Sequence, residues 1–153
     1  MPMKLFHPLP KLDHQRIVAA IAAAERLTSG EIRVALSRRN VKDPLPAAQK
    51  QFERLGMTRT RHRNGVLIFV APRRRQFVVL GDVGIHARAG EAAWATITAA
   101  MGAEIRRGDL TAGLERGIAE VGERLAQYFP PDSSRDANEL SNELVVEGGG
   151  PIR

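Results

Sequence analysis

Apolar residues recur along this chain with two different periods, and the alternation between them outlines the fold. Ile17, Ile21 and Ala24 fall on one face of a helix that Asp13 caps and that is expected to run to about Thr28. The following "TSG" ends it, because Gly30 accepts the backbone angles at which helices stop. In "EIRVALS", residues 31–37, Ile32, Val34 and Leu36 alternate with Glu31, Arg33 and Ser37, with Ala35 between them, which predicts a strand. The loop "NVKDPLP" leads into a short helix from about Ala47 to Leu55. "GVLIFVA", residues 65–71, is apolar throughout and fits a central strand buried on both faces. "APRRR" turns the chain, and "QFVVLGD" returns as an antiparallel neighbour.

The turn "GDVGIHARAG" then leads to a helix from about Glu91 to Ile105, with Trp94, Ile97, Met101 and Ile105 on one face. Asp109 caps a last helix whose stripe is Leu110, Leu114, Ile118, Val121 and Leu125. Both stripes are read as core. The order of elements divides the chain into an irregular, proline-bearing arm at 1–11, an α/β domain at 12–129 and a polar C-terminal tail at 130–153. In that tail "ELVV" is a candidate edge strand.

Composition narrows the class without naming a reaction. A chain of 153 residues, 43% hydrophobic and 26% charged, fits one globular domain. No apolar run reaches the ~20 residues of a membrane helix, and the first residues lack a continuous apolar region, so the expected location is the cytoplasm. With no cysteine, disulfides, thiolate nucleophiles and thiolate metal sites are excluded. The sequence also lacks a serine nucleophile elbow, a paired-histidine zinc helix, an EF-hand loop and a glycine-rich phosphate loop.

The net charge of +6 is local. Residues 59–75 hold six arginines and no acid, and the remaining 17 basic and 17 acidic residues cancel. Arg59, Arg61 and Arg63 precede the central strand; Arg73, Arg74 and Arg75 follow it. A seven-residue strand is roughly 23 Å long, so the two triplets lie at opposite ends of the sheet. If the first two strands are parallel, the end where they finish gathers Arg38, Arg39, Lys42, Arg73, Arg74, Arg75, Arg106 and Arg107, a candidate anion-binding set. Single-stranded nucleic acid needs stacking aromatics; the nearby Phe69 and Phe77 belong to apolar strands, which argues against that partner.

The other end collects Asp82, His86, His62, Asn64 and Glu31. A carboxylate and two histidines can ligate a divalent ion or exchange protons, so Asp82, His86 and Glu31 are candidate metal ligands and Asp82, His86 and His62 candidate catalytic groups. The bland alternative has Asp82 capping a turn and pairing with an arginine, with both histidines at the surface.

Three segments, "SGEIRVALS", "NGVLIFVAPRRRQFVVLGDVGI" and "RRGDLTAGLERGIAEVGERL", in that order resemble the TPM domain, a family named for a thylakoid-lumen protein, a photosystem repair protein and an acetylcholine-receptor modulator. The resemblance spans about residues 12–129. It implies a three-layer α/β/α sandwich around a small mixed sheet, and it brings an acid phosphatase activity described for some plant members, with divalent metal near acidic residues. Secreted relatives often carry a glutamate just after the turn that here reads Gly81, Asp82, Val83, Gly84, Ile85, His86, and this departure argues against such chemistry. The resemblance therefore leads to a non-catalytic accessory or interaction domain, linked to membrane-protein assembly or repair through a protein or membrane-surface partner. The alternative is a weak phosphomonoesterase using calcium, magnesium or manganese held by Asp82, with Arg63 on the phosphate.

Overall fold

The computed structural model describes residues 11–131 and 144–147. Its elements are α1 (His14–Glu25), β1 (Glu31–Ser37), α2 (Pro44–Arg54), β2 (Gly65–Ala71), β3 (Gln76–Gly81), α3 (Val83–Ala89), α4 (Glu91–Arg106), α5 (Leu110–Tyr128) and β4 (Val145–Glu147). Short 3₁₀ turns at Met57–Arg59 and Pro72–Arg74 complete the connections.

The sheet has the order β3-β2-β1-β4. β1 and β2 run parallel, with Glu31 opposite Gly65 and Leu36 opposite Val70. β2 and β3 are antiparallel, with Val66 opposite Gly81 and Ala71 opposite Gln76. The "ELVV" stretch does supply an edge strand: β4 lies parallel to β1, and Val145 pairs with Ala35.

Helices pack on both faces, and the period of two along the strands sorts the side chains between them. Ile32, Val34, Leu36, Val66, Ile68 and Val70 join α1, α4 and α5 in the larger core. Ala35, Leu67, Phe69 and Ala71 join Ala48 and Phe52 of α2 and Met57 in the smaller one. This double cover explains why β1 is buried at all seven positions, although its pattern reads as half-polar. Both predicted helical stripes lie in the core, except that Ile105 is only partly buried. The α4–α5 contact is close: a Cβ on Gly117 would sit 2.4 Å from the Met101 sulfur.

Three local expectations shift. α1 stops at Glu25, and beyond it Thr28 Oγ1 and Ser29 N both donate to the Phe129 carbonyl, so tertiary bonds replace a further helical turn. α2 starts earlier, because Asp43 accepts from Leu45 N at 3.1 Å and Pro44 takes the first-turn position where no donor is lost. The "GDVGIHARAG" turn contains a helix, α3, capped by Asp82, whose side chain accepts from Val83 N at 2.8 Å. Among the described residues no helix is long and apolar enough to cross a membrane.

Candidate functional site

The end of the sheet where β1 and β2 begin is organised around Asp82. Its carboxylate is buried, at 5% exposure. Arg63 closes on it with both arms of the guanidinium, Nε to Oδ2 at 2.6 Å and Nη2 to Oδ1 at 2.8 Å. Asp82 in turn raises the pKa of Arg63 through that hydrogen bond. The backbone fixes the pair: Asp82 N donates to Gly65 O at 2.9 Å and Gly84 N to Arg63 O at 2.8 Å. Gly84 is required by this approach, since a Cβ there would lie 2.2 Å from the His62 carbonyl oxygen. Arg63 itself adopts the left-handed conformation, with φ of 51°.

The histidines of this end have other neighbours. His86 stacks on Trp94, with ring centroids 6.4 Å apart and planes 7° from parallel, and its Nε2 lies 3.5 Å from Glu91 Oε1. His62 stacks on Phe129 at 6.2 Å, and Arg88 sits over the same phenyl ring at 5.7 Å. Asn64 is fully buried, its N donating to Thr60 Oγ1 at 3.2 Å. Among the described residues, no group of three His, Cys, Asp or Glu side chains could hold a metal ion. The donor set named for a divalent ion therefore does not come together among the described residues.

Glu31 meets a group that the sequence reading overlooked. Glu25, the last residue of α1, turns its carboxyl toward β1 and accepts from Ile32 N at 2.7 Å. Burial, then the charge of Glu31 and a hydrogen bond shared with it, push the Glu25 carboxyl up to about 9, against the pull of the Ile32 amide and Arg33. The Glu25 carboxyl thus keeps its proton through neutral pH. The signal was present: Glu25 follows Ile21 by four residues, a carboxylate beside the apolar face of its helix.

The opposite end is basic and open. Arg74 Nε donates to Asn40 Oδ1 at 2.6 Å, joining the β2–β3 turn to the loop after β1. Arg75, Arg106 and Arg107 line a common cleft of about 400 Å³ between the start of β3 and the α4–α5 corner. Apolar walls come from Val70, Pro72, Phe77, Ile105 and Leu110. Arg107 pairs with Glu104 at 3.3 Å. No carboxylate of the described residues lies within ion-pair distance of Arg75 or Arg106. Of the remaining basic residues named for this end, Arg38 donates its backbone N–H to Glu147 O at 2.9 Å, while Arg39, Lys42 and Arg73 are exposed. The cleft itself was not foreseen, because it needs the α4–α5 corner to stand off from the hairpin, which no local spacing encodes.

Comparison with known proteins agrees with this architecture. The model of the TPM domain matches residues 7–124. The BA42 protein of the psychrophilic bacterium Bizionia argentinensis is 38% identical, with 88% of this chain and 94% of that chain covered and a TM-score of 0.81. The N-terminal domain of the cg2496 protein of Corynebacterium glutamicum is 18% identical over 77% of this chain and 74% of its own, at a TM-score of 0.58, a likeness of fold alone. No curated protein matches the chain.

Proposed function

The chain belongs to the TPM domain family, and on that premise we propose that it is an accessory or interaction domain that acts by binding and not by turnover. The observation that carries this reading is the engagement of the Asp82 carboxylate. A carboxylate offers about four lone-pair positions; here two accept from Arg63 and a third from Val83 N. An ion arriving at Asp82 meets a carboxylate already engaged by a bidentate arginine and a helix cap, which supports a role for the group within the fold. The binding end is then the basic one, and its partner carries negative charge: a protein or the surface of a membrane, met in the cytoplasm. The family resemblance connects such a role with assembly or repair of membrane proteins.

Calorimetric titration of calcium, magnesium and manganese into the wild type and Asp82→Asn tests the reading. The expected result is no saturable heat that depends on the Asp82 charge. Saturable binding lost in Asp82→Asn, accompanied by hydrolysis of a synthetic phosphate ester, would overturn it in favour of the metal-dependent phosphomonoesterase. Association with anionic vesicles should weaken steeply as salt rises, because the charges that drive it are exposed and screened.

A further inference from the structure

The basic cleft has a floor that a purely charged partner would leave unused. Val70 and Leu110 are buried within the protein yet line it, and Phe77 and Ile105, also lining it, are only partly covered. Its volume of about 400 Å³ falls within the ~300–1,000 Å³ of small-molecule sites, which combine apolar walls with a few placed polar groups. A small inorganic anion would engage the rim alone. A neutral hydrocarbon would fill the floor but desolvate guanidinium groups without pairing them. The occupant that satisfies both surfaces carries a charge at one end and a chain at the other.

Backbone conformation adds a second observation. Arg75 ends the 3₁₀ turn at φ 54° and ψ 41°, the left-handed region that ordinarily selects glycine or asparagine. An arginine held there, with no carboxylate of the described residues within ion-pair distance, contributes charge at the cleft at a conformational cost.

We infer that this cleft binds a single-chain amphiphilic anion, with an alkyl chain along the floor of Val70, Phe77, Ile105 and Leu110 and a carboxylate or phosphate head on Arg75, Arg106 and Arg107. The inference rests on the reading of the domain as a binding module and names the ligand class of its basic end.

The full chain is titrated with decanoate and with decyl phosphate below their micelle concentrations, followed by backbone amide chemical shifts, with acetate and decanol as controls. Saturable shifts centred on Phe77, Ile105, Gly108 and Leu110 are expected, with the preferred head given by whichever amphiphile binds more tightly. Acetate should produce no saturation, and decanol should bind about tenfold more weakly, as should decanoate to Arg75→Gly. Arg106→Gln, at the exposed end of α4, provides an independent variant with the same expected loss. Absent saturation, shifts centred on another region, or unchanged affinity in both variants would overturn the assignment. If neither amphiphile binds while salt-sensitive vesicle association persists, the cleft assignment alone falls; if vesicles also fail to bind, the binding-module reading falls with it.

Discussion

At the end where β1 and β2 begin, Arg63 closes with two nitrogens on a buried carboxylate, whereas at the end where they finish Arg75 faces a cleft with no such partner among the described residues. These two arginines are also the two non-glycine residues at positive φ in the described chain, at 51° and 54°. Each carries a cost that the protein retains. At Arg63 the return lies within the fold, since the strained residue reaches Asp82, and Asp82 caps α3. At Arg75 the backbone N–H closes the β2–β3 turn on Pro72 O at 3.0 Å, but the guanidinium has no carboxylate within ion-pair distance among the described residues, so the return on its charge lies outside the fold. Arginine density alone would have ranked the two ends equally; what separates them is whether a buried acceptor lies opposite.

The sharpest way to break the comparison is at the locked end. Gly84→Ala drives a Cβ to 2.2 Å from the His62 carbonyl oxygen and 2.6 Å from that of Arg63. Backbone atoms yield little, so a loss of about 3 kcal/mol or more is expected, read as a lower urea midpoint or a fall in Tm of about 10 °C. A variant as stable as wild type would mean that the α3 approach is loose and that the end is not locked. Asp82→Ala comes next. It deletes a helix cap and leaves the Val83 amide and a guanidinium without their acceptor, which costs about 2–3 kcal/mol. The same unfolding series measures it, and a loss below about 1 kcal/mol would make the Arg63 pair a surface decoration.

The ease with which each end could be read follows from the range of the interactions. β1, β2 and β3 follow from runs of apolar residues bounded by turns, and the helical stripes from spacings of three and four; these are local signals, and the structure bears them out. α3 escaped because its seven residues contain only Ile85 as a buried anchor and read as a glycine-bearing turn. Opposite ends for the two triplets followed from strand length, and the parallel pairing of β1 with β2, the condition set for gathering basic residues where both strands finish, is observed. The Arg63–Asp82 pair could be named as an option, but its bidentate geometry depends on a residue 19 positions away and on the left-handed turn at Arg63. The Glu25–Glu31 contact and the cleft depend on how α1 and the α4–α5 corner meet the sheet, information spread over the whole core.

Glu25 sharpens the comparison by pH. Its ordinary value is near 4.5 and its folded value about 9. Between these the unfolded chain ionises while the folded chain keeps the proton, so the folded state binds more protons and stability declines as pH rises. The contribution is fully present below pH 4.5 and is lost as pH climbs toward 9. For one proton retained in the folded state the limiting slope is about 1.4 kcal/mol per pH unit. Urea midpoints measured from pH 5 to 9 should fall for wild type. Glu25→Gln keeps an acceptor for Ile32 N and a donor for Glu31, so its profile should be flatter and its stability at pH 8 higher. Parallel profiles for the two proteins would remove Glu25 as the cause.

The smallest expected effect is the one that separates the two arginines. Arg75→Gly relieves a left-handed residue, worth about 1 kcal/mol, while glycine's extra freedom in the unfolded chain returns about 0.5–1 kcal/mol. The net change in stability should lie within about 0.5 kcal/mol of zero or slightly above it. Arg63→Gly relieves the same kind of strain but also strips Asp82 of its bidentate partner, so it should lower the unfolding midpoint. Measured side by side, a neutral Arg75→Gly and a destabilised Arg63→Gly would place the return for one strained arginine inside the fold and for the other in what the cleft holds. Equal losses at both positions would mean that Arg75 also serves the fold, through contacts of its stem along the hairpin, and the two ends would then differ in geometry but not in purpose.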